Sequence, residues 1–331
     1  MAFNDWLRET ARRYQHDSIR RATDESMRAV VRGACRRVGA HIGTPIWRRG
    51  DWDVLIILDA CRLDLWTETA PEYNLPRSGS GVWSNASCSI DWIDRNFNQH
   101  PDETVDVGYL SANPFADHDA NHAESADLRE LETLAHFRPL YETEWREINT
   151  TPPIETVPPR RVTDHAIDAW RHRHEHGIER MVVHYMQPHE PYIARPEWSY
   201  QDPKDNPVLK NLVAGDYPAG SSPWQAMVSS GQVTPAEFWP VYKDNLRWVL
   251  DDVTDRLIRN LDANTVVISS DHGNGLGEWG EWHHPPGGIT PAVRKVPWVK
   301  VPACDKESVD AIVEREAGAA VDEQLMALGY L

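Results

Sequence analysis

The stretch DWDVLIILDACRLD, residues 51–64, is the key to the chain. Its apolar run from Val54 to Leu58 has no polar alternation, so both faces of the segment must be covered. That pattern reads as a buried parallel strand ending at Asp59. Two runs of the same kind follow, MVVHYM from Met181 and TVVISSD from Thr265 to Asp271. Helical patterns fall between them. One is HAIDAWRHRHEHG at 165–177, and in a longer one Tyr242, Leu246, Val249, Leu250, Val253, Leu257 and Leu261 keep helical spacing. Strands alternating with helices predict an α/β protein, a three-layer α/β/α sandwich with a mostly parallel central sheet.

Outside this frame, residues 3–38 read as an arginine-rich amphipathic helix, which divides the chain into an N-terminal helical segment, 1–50, and an α/β domain, 51–331. Residues 99–160, polar and proline-containing, and 194–235, rich in Pro, Gly, Ser and Asp, read as loop insertions in that domain.

The chain has 331 residues with a net charge of −17, from 34 basic and 51 acidic side chains. A net anion is repelled by phosphate backbones and anionic bilayers, so nonspecific nucleic-acid or membrane-surface binding is excluded as the main activity. Six lysines stand against 28 arginines. High acidity with little lysine predicts a halophilic protein, since carboxylates keep their hydration while salt screens their repulsion. Four cysteines, Cys35, Cys61, Cys88 and Cys304, have no CxxC spacing, which rules out a zinc knuckle or disulfide framework. The N-terminus has charges throughout and no apolar core, so it reads as no signal peptide, and no window is apolar enough to span a bilayer. A cytoplasmic location is the expectation.

Open parallel sheets present ligands at the carboxyl ends of their strands. Each of the three strands runs into polar residues there: Asp59 to Arg62, then Gln187-Pro188-His189, then Asp271-His272-Gly273. Carboxylate and imidazole together suit zinc or manganese, whereas an all-oxygen set would suit magnesium or calcium. Singly, Asp59 could cap a helix and His189 could be a core histidine; together with Asp271 and His272 they favour a divalent metal site. The most specific string is SSDHGNGLGEWGEWHHPPGG at 269–288, where glycines follow the Asp-His pair and a second pair, His283-His284, comes later. Trp279 and Trp282 flank this loop, and an indole face there could stack on a sugar.

With these residues in place, the sequence resembles the alkaline phosphatase superfamily, in its sulfatase-like branch with the phosphoethanolamine and glycerolphosphate transferases. The segments that carry the resemblance are LDACRLD, SNASCSIDW at 84–92, HYMQPHEPY at 184–192 and SDHGNGLGEWGEWHHP, joined by TPAVRKVPWVKV at 290–301 and the ending EQLMALGYL. It covers roughly residues 52–331.

The resemblance implies that Asp59, Asp271 and His272 bind the metal that also binds the nucleophile. His189 and His284 would lie on the substrate side, holding ester oxygens, protonating the leaving group or binding a second metal. Arg62 matches the arginine of a D-x-x-R-x-D form and would clamp a tetrahedral oxyanion. Glu278 matches a G-E glutamate that orients a histidine. Alignment of Ala86 with the small residue of an A-x-x-T segment puts Ser89 at the nucleophile. Cys88 is the rival, because sulfatases convert a cysteine to formylglycine, but the C-x-P-x-R pattern for that maturation is missing. Asn113 follows a possible strand in VDVGYLSANPF and belongs either to an Asn-Pro turn or to the site.

The expected activity is a metal-dependent hydrolase or transferase of phosphate or sulfate esters through a covalent serine intermediate. The expected partner is an anionic ester, with sugars and lipid-linked glycans among the candidates. A phosphomutase or phosphodiesterase of the same superfamily, and a non-catalytic relative that binds an anionic glycan or lipid head group, are the alternatives. Gln187 stands where related two-metal enzymes carry a further Asp, so one tightly held ion is expected.

Overall fold

The computed structural model describes residues 42–116, 134–141, 143–199, 223–229 and 231–311. The helix expected at 3–38, the ending at 323–331 and residues 200–222 of the insertion read at 194–235 lie outside them. In chain order the first elements are β1 (Val54–Leu58), α1 (Leu63–Thr69), β2 (Val82–Trp83), α2 (Ser89–Ile93), β3 (Val107–Ser111) and β4 (His136–Pro139). A small antiparallel pair, β5 (Arg146–Ile148) and β6 (Ile154–Thr156), precedes α3 (Pro159–Arg171) and β7 (Arg180–Tyr185). Then come α4 (Pro223–Ser229), α5 (Pro235–Asp252) and β8 (Val266–Ser269). The chain continues through β9 (Gly275–Leu276), β10 (Trp282–His283), α6 (Pro291–Arg294), β11 (Lys295–Val296) and β12 (Trp298–Val301).

Six strands form the central sheet in the order β12-β8-β1-β7-β3-β4. All neighbours are parallel except β12, which runs antiparallel along β8. The three apolar runs therefore sit side by side at the centre, with β1 between β7 and β8. Their side chains alternate between two cores, as a pleated strand requires. Val54, Ile56 and Leu58 face one core with Val162, Ile167, Leu246 and Leu250 of α3 and α5. Leu55 and Ile57 face the other, with Trp92 and Ile93 of α2 and with Trp47, Trp52 and Phe97. Helices thus cover both faces, and the architecture is the expected α/β/α sandwich.

Helix α5 starts at a capping box, in which the Thr234 hydroxyl accepts from Glu237 N and the Glu237 carboxylate accepts from Thr234 N. The helical spacing read as far as Leu261 breaks earlier: α5 ends at Asp252 and continues as a wider turn over Val253–Leu257. The stretch 99–160, read as an insertion, supplies β3 and β4 of the main sheet. Strand β3 is fully buried but only five residues long, and β4 is a half-buried edge strand that carries Pro139. Neither produces a long apolar run. Among the described residues no helix is long and apolar enough to cross a membrane.

Candidate active site

Three strands deliver their ends to one point. Asp59 leaves β1 and is held between its neighbours: its N–H donates to the Tyr185 carbonyl at the end of β7, and its carbonyl accepts from His189 N. Ala60 then takes a left-handed turn at φ 59°, and its N–H donates to Asp271 Oδ1 at 3.0 Å. The chain beyond β8 is folded back by that same Oδ1, which also accepts from His272 N at 2.8 Å. Both carboxylates are buried, as is His272.

Ser89 is the first residue of α2, with Cys88 as its extended N-cap. Its Oγ lies 2.8 Å from Asp271 Oδ2, 3.2 Å from Asp59 Oδ2 and 3.1 Å from His272 Nε2. The two residues before it, Ser87 and Cys88, are arranged differently. The Ser87 hydroxyl donates to the Pro285 carbonyl and accepts from Gly288 N, so it pins the 285–288 loop to the start of α2. The Cys88 thiol is pushed up to about 12 by burial and by nearby Asp91, which leaves it a poor source of thiolate.

The cluster has the chemistry of a cation site. One oxygen from each of Asp59 and Asp271 and a nitrogen of His272 lie within 4.8 Å of one another. His272 Nδ1 lies 3.0 Å from the Gly273 carbonyl, which can only accept, so Nδ1 carries the proton and Nε2 presents a lone pair in neutral imidazole. Asp59 Oδ1 is buried without a hydrogen-bond partner. Three acceptors converging in a buried space, one of them an orphan, would repel unless a positive charge lies between them. A metal-bound histidine whose second nitrogen is anchored to a backbone carbonyl is a common arrangement. The residues therefore fit a divalent ion.

Two residues not assigned to the site from sequence support it. Asn113, two residues beyond β3, donates from Nδ2 to Asp59 Oδ2 at 2.5 Å while its Oδ1 accepts from Phe115 N. It fills both of the roles weighed for it, the turn and the site. His184 of β7 is fully buried, with Nε2 3.5 Å from Asp59 Oδ2 and 3.8 Å from Asp271 Oδ2. Its Nδ1 pairs with the Tyr109 hydroxyl at 3.0 Å, and the edge of Trp92 packs against its ring. A histidine inside the run MVVHYM was the available signal. Burial alone would raise the Asp59 carboxyl, but the His184 contact and the charge of His189 hold it well below the usual carboxylate range.

His189 and His284 meet beside this cluster with their Nε2 atoms 3.2 Å apart, and the His284 ring stacks on that of His272 at 4.4 Å. His189 Nδ1 lies 3.0 Å from the Glu190 carbonyl. Burial works against a charged His189, yet Asp59 and Glu190 raise it above its ordinary value. Burial and the neighbouring His272 and His189 push His284 well below its own. The pair is therefore arranged as one proton donor, His189, against one neutral acceptor.

Arg62 and Glu278 take other positions than the sequence suggested. The Arg62 fork is held by Asp64, at 2.9 and 2.6 Å, by Glu278 at 2.7 Å and by the Asn274 carbonyl at 2.9 Å. It supports the 271–278 loop from behind and makes no hydrogen bond to Ser89 or the histidines, so the expected oxyanion clamp is not what this geometry offers. Glu278 pairs with Arg62 instead of orienting a histidine. Two nearby carboxylates outcompete any more distant anion for the guanidinium.

Solved structures similar to this α/β/α chain are phosphoethanolamine transferases and sulfatases. The soluble domain of lipooligosaccharide phosphoethanolamine transferase A from Neisseria meningitidis is 13% identical, with 79% of this chain aligned to 80% of that one at a TM-score of 0.42. The C-terminal periplasmic domain of phosphoethanolamine transferase EptC from Campylobacter jejuni is 11% identical over 75% of this chain and 78% of that one, at 0.40. For the integral membrane form of the Neisseria transferase the identity is 13% over 82% of this chain, which spans 52% of that protein, at 0.44. No protein-family model and no curated protein matches the chain.

Proposed function

We propose that the chain is a metal-dependent hydrolase or transferase of phosphate or sulfate esters that works through a covalent Ser89 intermediate. The observation that carries this reading is the Ser89 hydroxyl at the meeting point of Asp59, Asp271 and His272. A divalent ion held by Asp59, Asp271, His272 and Ser89 would lower the hydroxyl's pKa and offset the charge on the ester oxygens.

The protein's own groups divide the remaining work. Asp271 and Asp59 flank the Ser89 hydroxyl, which donates to one of the two carboxylates, and they aim its oxygen. Ser89 loses its hydroxyl proton to solvent, and its Oγ forms a bond to phosphorus or sulfur in line with the bond that breaks to the departing alcohol. His189 gives that alcohol the proton it had shared with neutral His284, and takes one back from the water or alcohol that attacks next. Water then attacks the phospho- or sulfo-serine and frees the acid, or a second alcohol accepts the group; either step restores Ser89.

The test uses aryl phosphate and aryl sulfate substrates. Ser89→Ala is expected to lose turnover by about 10³-fold or more, while Cys88→Ala keeps most of it. Parent-like turnover in the Ser89 variant would remove the covalent reading.

A further inference from the structure

Residues 186–195, the stretch that carries His189, belong to no helix or strand. Their backbone groups have no ladder to pair with, so each buried one needs a partner from elsewhere. A single side chain supplies three of those partnerships. Asn245, fully buried in the middle of α5, donates from Nδ2 to the His189 carbonyl at 3.0 Å and to the Pro191 carbonyl at 2.9 Å, with the Pro188 carbonyl at 3.4 Å. Its Oδ1 accepts from Ile193 N at 3.0 Å. Both amide hydrogens and the amide oxygen are thus spent on one loop. Asparagine is a weak helix former, and its buried neighbours Leu246 and Val249 are apolar, so nothing within α5 calls for it.

The consequence falls on His189. Its N–H donates to the Asp59 carbonyl at 3.1 Å, and its own carbonyl is one of those that Asn245 holds. The main chain of His189 is therefore gripped on both sides, by the end of β1 and by α5. Only its side-chain torsions remain free, and these bring Nε2 to 3.2 Å from His284 Nε2. The same helix also braces the turn after β1. One turn earlier the Tyr242 hydroxyl donates to the Ala60 carbonyl, and before it the Trp239 ring lies under the Arg62 guanidinium at 5.1 Å. Positions 239, 242 and 245 recur at intervals of three, which puts them on one side of the helix. One rigid face thereby fixes the turn after β1 and the loop after β7 against each other.

We propose that Asn245 is a positioning residue, which aims the His189 imidazole at the departing alcohol by holding its main chain in register with Asp59. The proposal rests on the ester-transfer reading above, which gives His189 its role as proton donor. A placed general acid contributes about 10²- to 10⁴-fold, and a displacement of about 1 Å can forfeit 10²-fold.

Paired esters separate this role from ordinary support of the fold. The 4-nitrophenyl phosphates and sulfates release a stable anion that needs no proton, whereas the benzyl esters release an alkoxide that does. Asn245→Ala is expected to lower benzyl-ester turnover at least about tenfold more than 4-nitrophenyl-ester turnover, with divalent-ion affinity as in the parent. Asn245→Asp keeps the oxygen that Ile193 N needs but removes both donors, and is expected to show the same selective loss should the alanine variant fold poorly. His189→Gln should show it too, and combining it with Asn245→Ala should add no further selectivity. Equal losses on the two esters in a variant that keeps its melting temperature and its ion, or additive selectivity in the double variant, would overturn the proposal. Ser89→Ala is read separately: parent-like turnover there sinks the catalytic reading, whereas Ser89-dependent turnover with equal losses at Asn245 sinks the positioning alone.

Discussion

Asn113 and His184 grip the same oxygen of Asp59 from different strands, and this decides which way the carboxylate faces. Partners that orient a ligand typically contribute 10- to 100-fold in metal affinity, so Asn113→Ala should bind a divalent ion about tenfold more weakly in chelator competition. Unchanged affinity would reduce Asn113 to its turn. At this scale the sequence was partly legible. Asp59, Asp271 and His272 each end or closely follow an apolar run, and the fold principle that ligands gather at strand ends brought them together. Ser89 came from its resemblance to a motif. Asn113 and His184 were harder because a single polar residue within or just past a buried strand looks the same whether it packs or functions. Arg62 was misread because sequence spacing places a guanidinium near a site without giving the direction of its fork.

The loop after β8 owes its path to a glycine. A Cβ on Gly273 would lie 2.2 Å from the Ala292 carbonyl oxygen and 3.0 Å from Arg62 Cγ, whose guanidinium is held by its own hydrogen bonds. Gly273→Ala must therefore push His272 away from Ser89, at a cost of about 1–3 kcal/mol in stability. Chemical denaturation together with ion retention should show both effects, and a variant that keeps its ion would disprove the coupling. At the far edge of the sheet, the His136 ring of β4 packs at a tilt on that of His176, centroids 4.4 Å apart. Burial, then the charges of His176 and Arg138, lowers it from 6.5 to about 4. Between those values the unfolded chain binds a proton that the folded chain refuses, so stability rises with pH across this window. It is fully present above 6.5 and is lost on acidification toward 4. His136→Gln should flatten that part of a stability-against-pH curve, and an unaltered slope would assign the effect elsewhere. The central strands β1, β7 and β8 were readable because burial on both faces imposes continuous apolar runs. Strands β3 and β4 were less so, being short or at an edge.

Over the whole molecule, a charge of −17 surrounds the candidate site, whose proposed substrate is itself an anion. The surface repels a charged ester until the ester comes close to the site, and salt screens that outer field more than the buried one. Steady-state rates on an aryl phosphate are therefore expected to rise as salt is added toward the molar range; a steady decline from low salt upward would remove the halophilic inference.

The ladder order has a last consequence, for when the protein becomes active. Ser89 and Asp271 are 182 positions apart, and they meet in a sheet where β8 lies along one side of β1 and β7 along the other. A fragment that ends before β8 lacks Asp271 and His272 and cannot assemble the cluster. An ion bound there, as proposed, would report a completed sheet and would tie together segments far apart in the sequence.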